Sequence, residues 1–246
     1  MRTIVLTLAA LAGVTCLAPS LPAAEQGQPS ETFIHARYFH CNEINVREAD
    51  EAVVALYRSE LNDLVKEGKA GSWGWLVKKT GGEWSRAGYL TASSLAEVLQ
   101  AGDELSIRSD WRFPVRAFAA ACGSSEDYIW HVLSGNNARG HRGKAALSTY
   151  YVCEQSREPK VNALAKLDAL VKSELAPKYD KLVAAGKLTS WDWAEQAFGG
   201  KYQRLATMSA SAVEAVIAAR EDMTRAVSAV CSSHQDYIWE VQDQGP

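Results

Sequence analysis

The 246-residue chain has no internal run of the roughly 18 to 20 apolar residues that crosses a bilayer. It also has no surplus of one charge, since 26 Lys and Arg stand against 29 Asp and Glu for a formal net charge of −3. The first absence argues against an internal membrane span. The second argues against an electrostatic grip on nucleic-acid phosphates or anionic lipid. Catalytic signatures are missing as well: there is no Gly-x-Ser-x-Gly elbow, no Gly-rich phosphate loop with its Lys, no Cys-x-x-Cys-His haem attachment and no His-Glu-x-x-His. What remains is the composition of an ordinary folded protein, 47% hydrophobic and 22% charged, long enough for one or two domains with a full core.

Residues 1–24 read as a secretory signal peptide. Arg2 precedes an apolar run from Ile4 to Leu17, followed by Pro19, Pro22 and the small pair Ala23 and Ala24 before a polar stretch. The run is short for a membrane anchor and no basic stop follows it. Cys16 as a lipoprotein cysteine is a poorer reading, because Thr15 precedes it and the apolar run continues past it. The expectation is an exported chain, periplasmic or extracellular, with a disordered mature start at residues 25–31. Removal of Arg2 leaves 25 basic and 29 acidic residues, a charge of −4.

The mature chain is written twice. Gly68, Lys69, Ser72, Trp73, Trp75, Gly81, Gly82, Trp84, Arg86 and Ala92 are answered 118 positions later by Gly186, Lys187, Ser190, Trp191, Trp193, Gly199, Gly200, Tyr202, Arg204 and Ala210. A block from Cys122 to Val132 recurs 109 positions later as Cys231 to Val241, and Tyr38 and Cys41 recur 112 later as Tyr150 and Cys153. The change of offset puts a nine-residue insertion near Ser106 to Pro114 in the first copy, and six extra residues in the first helix of the second. The repeats span 32–133 and 148–243, with 134–147 as a linker rich in Gly, Asn and Arg.

Each copy parses alike. Alternating, aromatic Phe33 to Cys41 and Thr149 to Cys153 read as strands. Helical segments follow at Glu48 to Glu67 and Val161 to Ala184, the second stopped by Gly186 and kinked at Pro177. Hairpins turn at Gly81-Gly82 and Gly199-Gly200. A second helix starts after Ser93 or Ser211 as N-cap, and Tyr128 to Leu133 or Tyr237 to Gln242 closes the copy. The order is strand, helix, strand, strand, helix, strand, the split βαβ unit of ferredoxin-like folds.

Two such units in tandem, with their Trp-x-Trp, Gly-Gly and aromatic-x-Arg patterns, resemble the dimeric α/β-barrel superfamily. The resemblance covers essentially the whole mature chain and carries no catalytic signature. It implies an α+β fold: two tandem ferredoxin-like βαββαβ repeats whose antiparallel sheets pack into an intrachain α/β barrel, a pseudo-dimer within a monomer. The functional expectation is an exported protein that binds a small, partly apolar molecule between its two sheets. One alternative is a cofactor-independent oxygenase or isomerase, in which Arg86 or Arg204 holds an anionic group and His131 moves a proton. Another is a solid structural or interaction module. Haem, bound by some family members, is a further alternative, although no cofactor or metal is expected from the motifs. In this topology the first and last strands of each copy are antiparallel neighbours, which pairs Cys41 with Cys122 and Cys153 with Cys231. Each bridge closes a loop of about 80 residues, worth roughly 4 to 5 kcal/mol by the chain-entropy argument.

Candidate site residues are few. Trp73, Trp75 and Trp130 pair with Trp191, Trp193 and Trp239, and Arg86 pairs with Arg204. An Arg beside aromatics suits a ligand with an anionic or carbonyl group, and it suits equally a core in which the Arg meets a buried acid. Positions that differ between the copies offer a second handle: His40 against Val152, Val77 against Glu195, and His131 against Glu240. The last two are the acid/base candidates, with exposed strand-end residues as the plainer reading. His35 and His40 lie five apart on a strand and so face opposite ways. The insertion around Trp111, Arg112 and Phe113 reads as a surface loop or as a lid.

Overall fold

The computed structural model of the protein describes residues 31–42, 44–109, 118–136, 142–153 and 160–245. The proposed signal peptide, the segment 110–117 and His141 lie outside them. The first copy runs β1 (Phe33–His40), α1 (Val46–Ala52), a π-helical turn (Val53–Tyr57), α2 (Arg58–Lys66), β2 (Ser72–Gly81), β3 (Arg86–Ala92), α3 (Leu95–Ser109) and β4 (Ser124–Gly135). The second runs β5 (Ala145–Val152), α4 (Lys160–Leu170), a π-helical turn (Val171–Leu175), α5 (Ala176–Ala184), β6 (Ser190–Phe198), β7 (Arg204–Ala210), α6 (Val213–Val227) and β8 (Ser233–Gly245).

The eight strands close into one barrel in the order β1-β3-β2-β8-β5-β7-β6-β4, and every neighbouring pair is antiparallel. Each copy supplies four adjacent strands. The seams are β2 with β8 and β4 with β6, so the closure that removes sheet edges is made within one chain. Both expected disulfides are present, Cys41–Cys122 and Cys153–Cys231.

Local chemistry explains the element ends. Gly68 and Gly186, at φ 72° and 69°, adopt the left-handed conformation that ends α2 and α5. Their amides donate to Val65 and Val183, and the following Lys69 and Lys187 amides to Leu64 and Leu182, the paired bonds of a Schellman stop. The N-cap of α3 is Ser94, not Ser93: Ser94 Oγ accepts the Glu97 amide at 3.2 Å, while Ser93 Oγ donates to the Glu97 carboxylate. Ala212 precedes α6 and offers no side-chain cap, so Ser211 does not play the expected part. Both helix pairs carry a π-turn at the same repeat position, so Pro177 alone does not account for the irregularity. The helix α3 holds the 118 register through Arg108, the counterpart of Ala226, and Phe118 takes up the 109 register at Val227, which places the nine extra residues at 109–117. Val46 corresponds to Leu164, yet α4 starts at Lys160, so part of the six-residue excess lengthens that helix at its start.

The barrel interior is aromatic and filled. Repeat-related rings face one another there, with Trp84 stacked on Tyr38 at 4.1 Å and on Tyr237 at 5.0 Å, and Trp130 Nε1 donating to Tyr38 Oη at 3.3 Å. Burial pushes the Tyr38 and Tyr150 phenols well above the usual range. Between the two sheets the void beside Tyr38, Trp130 and Tyr150 measures about 30 Å³, one water's share of volume. A ligand chamber between the sheets, as the sequence suggested, is therefore not what the fold provides.

Candidate functional site

Alternation along β1 sends Ile34, Ala36 and Tyr38 into the barrel and His35, Arg37 and Phe39 outward, under the helices of the first copy. Strand register arranges that outer face in two rows. One runs Trp73, Leu90, His35, Ile129, and the other runs Trp75, Gly88, Arg37, Asp127. Val53, Tyr57 and Leu61 from the first helical segment and Gly102, Leu105 and Ser106 from α3 form a roof. Between rows and roof lies a cavity of about 370 Å³.

One end of the cavity is aromatic. Phe118 meets Phe39 edge-on at 5.1 Å and lies 5.9 Å from Trp75, with Tyr57 beyond it at 6.4 Å. The other end is polar: His35 Nε2 donates to Asp127 Oδ1 at 3.0 Å, and Arg37 Nε donates to the same oxygen at 2.7 Å. Partial burial pushes the Asp127 carboxyl up, but the bonds from His35 and Arg37 outweigh it and hold the group below the usual carboxylate range. The imidazole packs under α3 at Gly102, where an added Cβ would stand 3.1 Å from Nδ1. Above, Lys69 and Arg108 both donate to Glu104, at 2.6 and 2.5 Å, clasping the end of α2 to α3.

The indoles of the floor are pinned from the helices. Trp75 Nε1 donates to Asp50 Oδ1 at 2.8 Å and Trp73 Nε1 to Asn62 Oδ1 at 2.9 Å. Asp50 also receives Arg86, and the second copy repeats the arrangement with Asp168, Arg204 and Trp193, and with Asp180 and Trp191. Asp50 and Asp168 are 118 apart and escaped the sequence reading, although that offset marks them.

The candidates fare unequally. Trp73 and Trp75 line the cavity. Arg86 and Arg204 are buried and committed to Asp50 and Asp168, so neither presents a free cation to a ligand. Trp130 and Trp239 sit inside the packed barrel, and Trp191 and Trp193 in the filled core beneath α4, α5 and α6. His131 and Glu240 are not brought together: β4 and β8 stand four strands apart around the barrel, His131 Nδ1 donates to Glu195 at 3.1 Å, and Glu240 pairs with Lys79. His40 lies 3.3 Å from Glu126, away from the cavity lining. His35 and Asp127, unremarked as a pair in the sequence, form the polar centre instead.

No protein-family model and no curated protein matches the sequence. Solved structures do. A proposed monooxygenase from Lactobacillus acidophilus is similar at TM-score 0.59 with 8% identity, over 87% of this chain and 95% of that one. An anthrone oxidase-like protein is similar at TM-score 0.51 with 14% identity, over 88% and 93%. A dye-decolorizing peroxidase from Bacteroides thetaiotaomicron is similar at TM-score 0.50 with 8% identity, over 88% and 94%. At these identities the likeness concerns the fold. The chain has the dimeric α/β-barrel fold in a tandem-repeat form, both halves carried by one polypeptide.

Haem, raised by the superfamily resemblance, does not fit this cavity. The one histidine on its lining spends Nε2 on Asp127, and its remaining nitrogen, Nδ1, faces α3 at Gly102, where even an added Cβ would stand 3.1 Å away, so a small ligand's oxygen can approach it but an iron in a macrocycle has no room on that side.

Proposed function

We propose that this is an exported protein that binds a small, partly apolar molecule in the first copy's cavity, between sheet and helices. The observation that carries the reading is the 370 Å³ space itself, aromatic at one end and edged by the His35–Asp127–Arg37 cluster at the other. Two disulfides, and the lack among the described residues of a helix long and apolar enough to cross a membrane, support export. Native mass spectrometry of protein made in an oxidising compartment tests both parts. A retained small-molecule mass, or micromolar uptake of hydroxylated aromatics, on a chain four hydrogens lighter than its reduced form is expected. Free thiols, or no uptake across a panel of aromatics, would overturn it.

A second reading follows from the dyad. Asp127 holds the His35 ring as an acceptor-bound partner holds a general base, and the fold is shared with a proposed monooxygenase and an anthrone oxidase-like protein. His35 would then take a proton from a bound phenol or enol, leaving an electron-rich anion able to react with O₂ without a cofactor. Oxygen uptake with such a compound, lost in His35→Ala, is the expected signature; uptake unchanged in that variant would sink this reading while leaving binding intact.

A further inference from the structure

Among the described residues the second copy has the same walls but a packed core where the first has its cavity, and the difference resides in a few residues. In repeat register Leu61 corresponds to Tyr179, Leu90 to Met208, Leu105 to Met223 and Gly102 to Arg220. The last four second-copy residues named fill the region that is open in the first. Tyr179, Met208 and Met223 are buried in one core cluster with Trp191 and Trp193. Arg220 reaches across from α6 to grip Asp236, the counterpart of Asp127, and its Nη2 lies 2.8 Å from His234 Nε2. In the first copy Gly102 sends no side chain there, and His35 and Arg37 reach Asp127 from β1 instead. Bulk has also moved the other way: Tyr57 and Phe118 stand where the second copy has Leu175 and Val227, building the aromatic wall.

Resting on the binding reading above, we propose that Leu61 and Gly102 set the size and ligand class of the cavity, and that the second copy carries its closed twin, shut by Tyr179 and Arg220. The twin also displays the kind of occupant that suits the space. The Tyr179 phenol lies 5.3 Å from the Trp191 ring, and its hydroxyl donates to the Ala219 carbonyl at 3.2 Å. A free aromatic hydroxy compound can take the corresponding ring position over Trp73, and because Gly102 leaves open the space that Arg220 fills in the twin, its oxygen can turn towards His35 and Arg37. The ligand class is therefore a flat aromatic of one or two rings bearing an acidic hydroxyl.

The graft Leu61→Tyr tests this directly. Ala101 is the counterpart of Ala219, so the introduced hydroxyl meets an equivalent backbone carbonyl and the ring an equivalent indole. With 2-naphthol as the probe, titration calorimetry of the full chain is expected to give one site in the wild type and at least a tenfold weaker one in Leu61→Tyr, with near-ultraviolet circular dichroism showing the fold retained. A reverse graft, Tyr179→Leu with Met208→Leu, Arg220→Gly and Met223→Leu, leaves the first site untouched and is expected to raise the stoichiometry from one to two. A folded Leu61→Tyr that binds as the wild type does, or a folded reverse graft that stays at one site, would overturn the inference while the first copy's binding role stands. A wild type that takes up no 2-naphthol but retains another small molecule would overturn the ligand class. A wild type that binds nothing would overturn the reading beneath it.

Discussion

Arg86 closes on Asp50 through two parallel hydrogen bonds, Nε to Oδ1 at 2.6 Å and Nη2 to Oδ2 at 2.7 Å, and Asp50 Oδ1 also accepts the Trp75 indole N–H. Both side chains of the ion pair are largely buried. A planar guanidinium and a carboxylate matched in this way join a helix to two strands at one point. Removing the acid strands a buried cation, which costs about 3–5 kcal/mol. Asp50→Ala and Asp168→Ala should therefore destabilise the chain by similar amounts in urea unfolding. Only Asp50→Ala should also weaken 2-naphthol binding, because only Trp75 belongs to an open site. Equal binding in the two variants would separate the pinning of the indole from ligand capture.

The two imidazoles His35 and His131 allow a sharper contrast. His131 stacks on Phe33 at 4.7 Å and bonds Glu195 at the β4–β6 seam, whereas His35 faces the cavity. Loss of a charge-assisted hydrogen bond costs about 1.5–3 kcal/mol, or roughly ten-fold and more in affinity. Accordingly, His35→Ala should weaken the binding of a hydroxylated aromatic by at least about that factor, and His131→Ala should leave it unchanged while lowering the melting temperature slightly. The reverse ranking would return the polar centre to the strand-end position that the copy-to-copy differences first suggested.

Much of the architecture was legible because it depends on what the copies share. The offsets of 118, 109 and 112 carry the hairpins, the last strands and the cysteines. Once the split βαβ order is read, the position of Cys41 at one strand end and Cys122 at the next strand's start leaves one symmetric pairing. Asp50 and Asp168 were equally available, since both obey the 118 offset, but they sit in helices whose register was matched less closely than the Trp-rich hairpins. The cavity was hidden for a different reason. It comes from what the copies do not share, Leu61 against Tyr179 and Gly102 against Arg220, and the size of a space is a sum over elements distant in sequence. The sheet-to-sheet chamber was a natural expectation for open sheet faces. Nine interior aromatic residues of one buried cluster, among them Tyr38, Trp84, Trp130 and Trp239, fill it instead.

Acid should act through Asp127. Its carboxyl lies below its ordinary value in the folded chain, while in the unfolded chain it titrates near about 3.9. As pH falls the unfolded state takes up the proton first, so the stabilisation is present above the unfolded value and is lost as pH falls through the native one. Asp127 and Arg37 are both substantially exposed, and screening keeps the contribution under about 1 kcal/mol. The melting-temperature gap between wild type and Asp127→Asn should therefore be small at about pH 5 and close as pH falls through the lowered native value. A gap that persists undiminished at the acid end would mean that the carboxyl is not held low by His35 and Arg37.

The two disulfides should be alike in stability and unlike in function. They span sequence separations of 81 and 78 residues, so the chain-entropy argument assigns each roughly 4 to 5 kcal/mol. Around Cys41–Cys122, however, pack Phe39 and Phe118, the rings that close the aromatic end of the cavity. The Cys153–Cys231 bridge belongs to the solid core of the second copy. Replacing either pair by Ser should lower the urea midpoint by a similar amount. Under conditions where both variants remain folded, the Cys41→Ser/Cys122→Ser variant should bind 2-naphthol several-fold more weakly, because Phe118 loses its anchor, while the Cys153→Ser/Cys231→Ser variant should bind it as the wild type does. If both pairs weaken binding equally, the effect is a general loosening of the barrel and the aromatic wall is not specifically held by its neighbouring bridge.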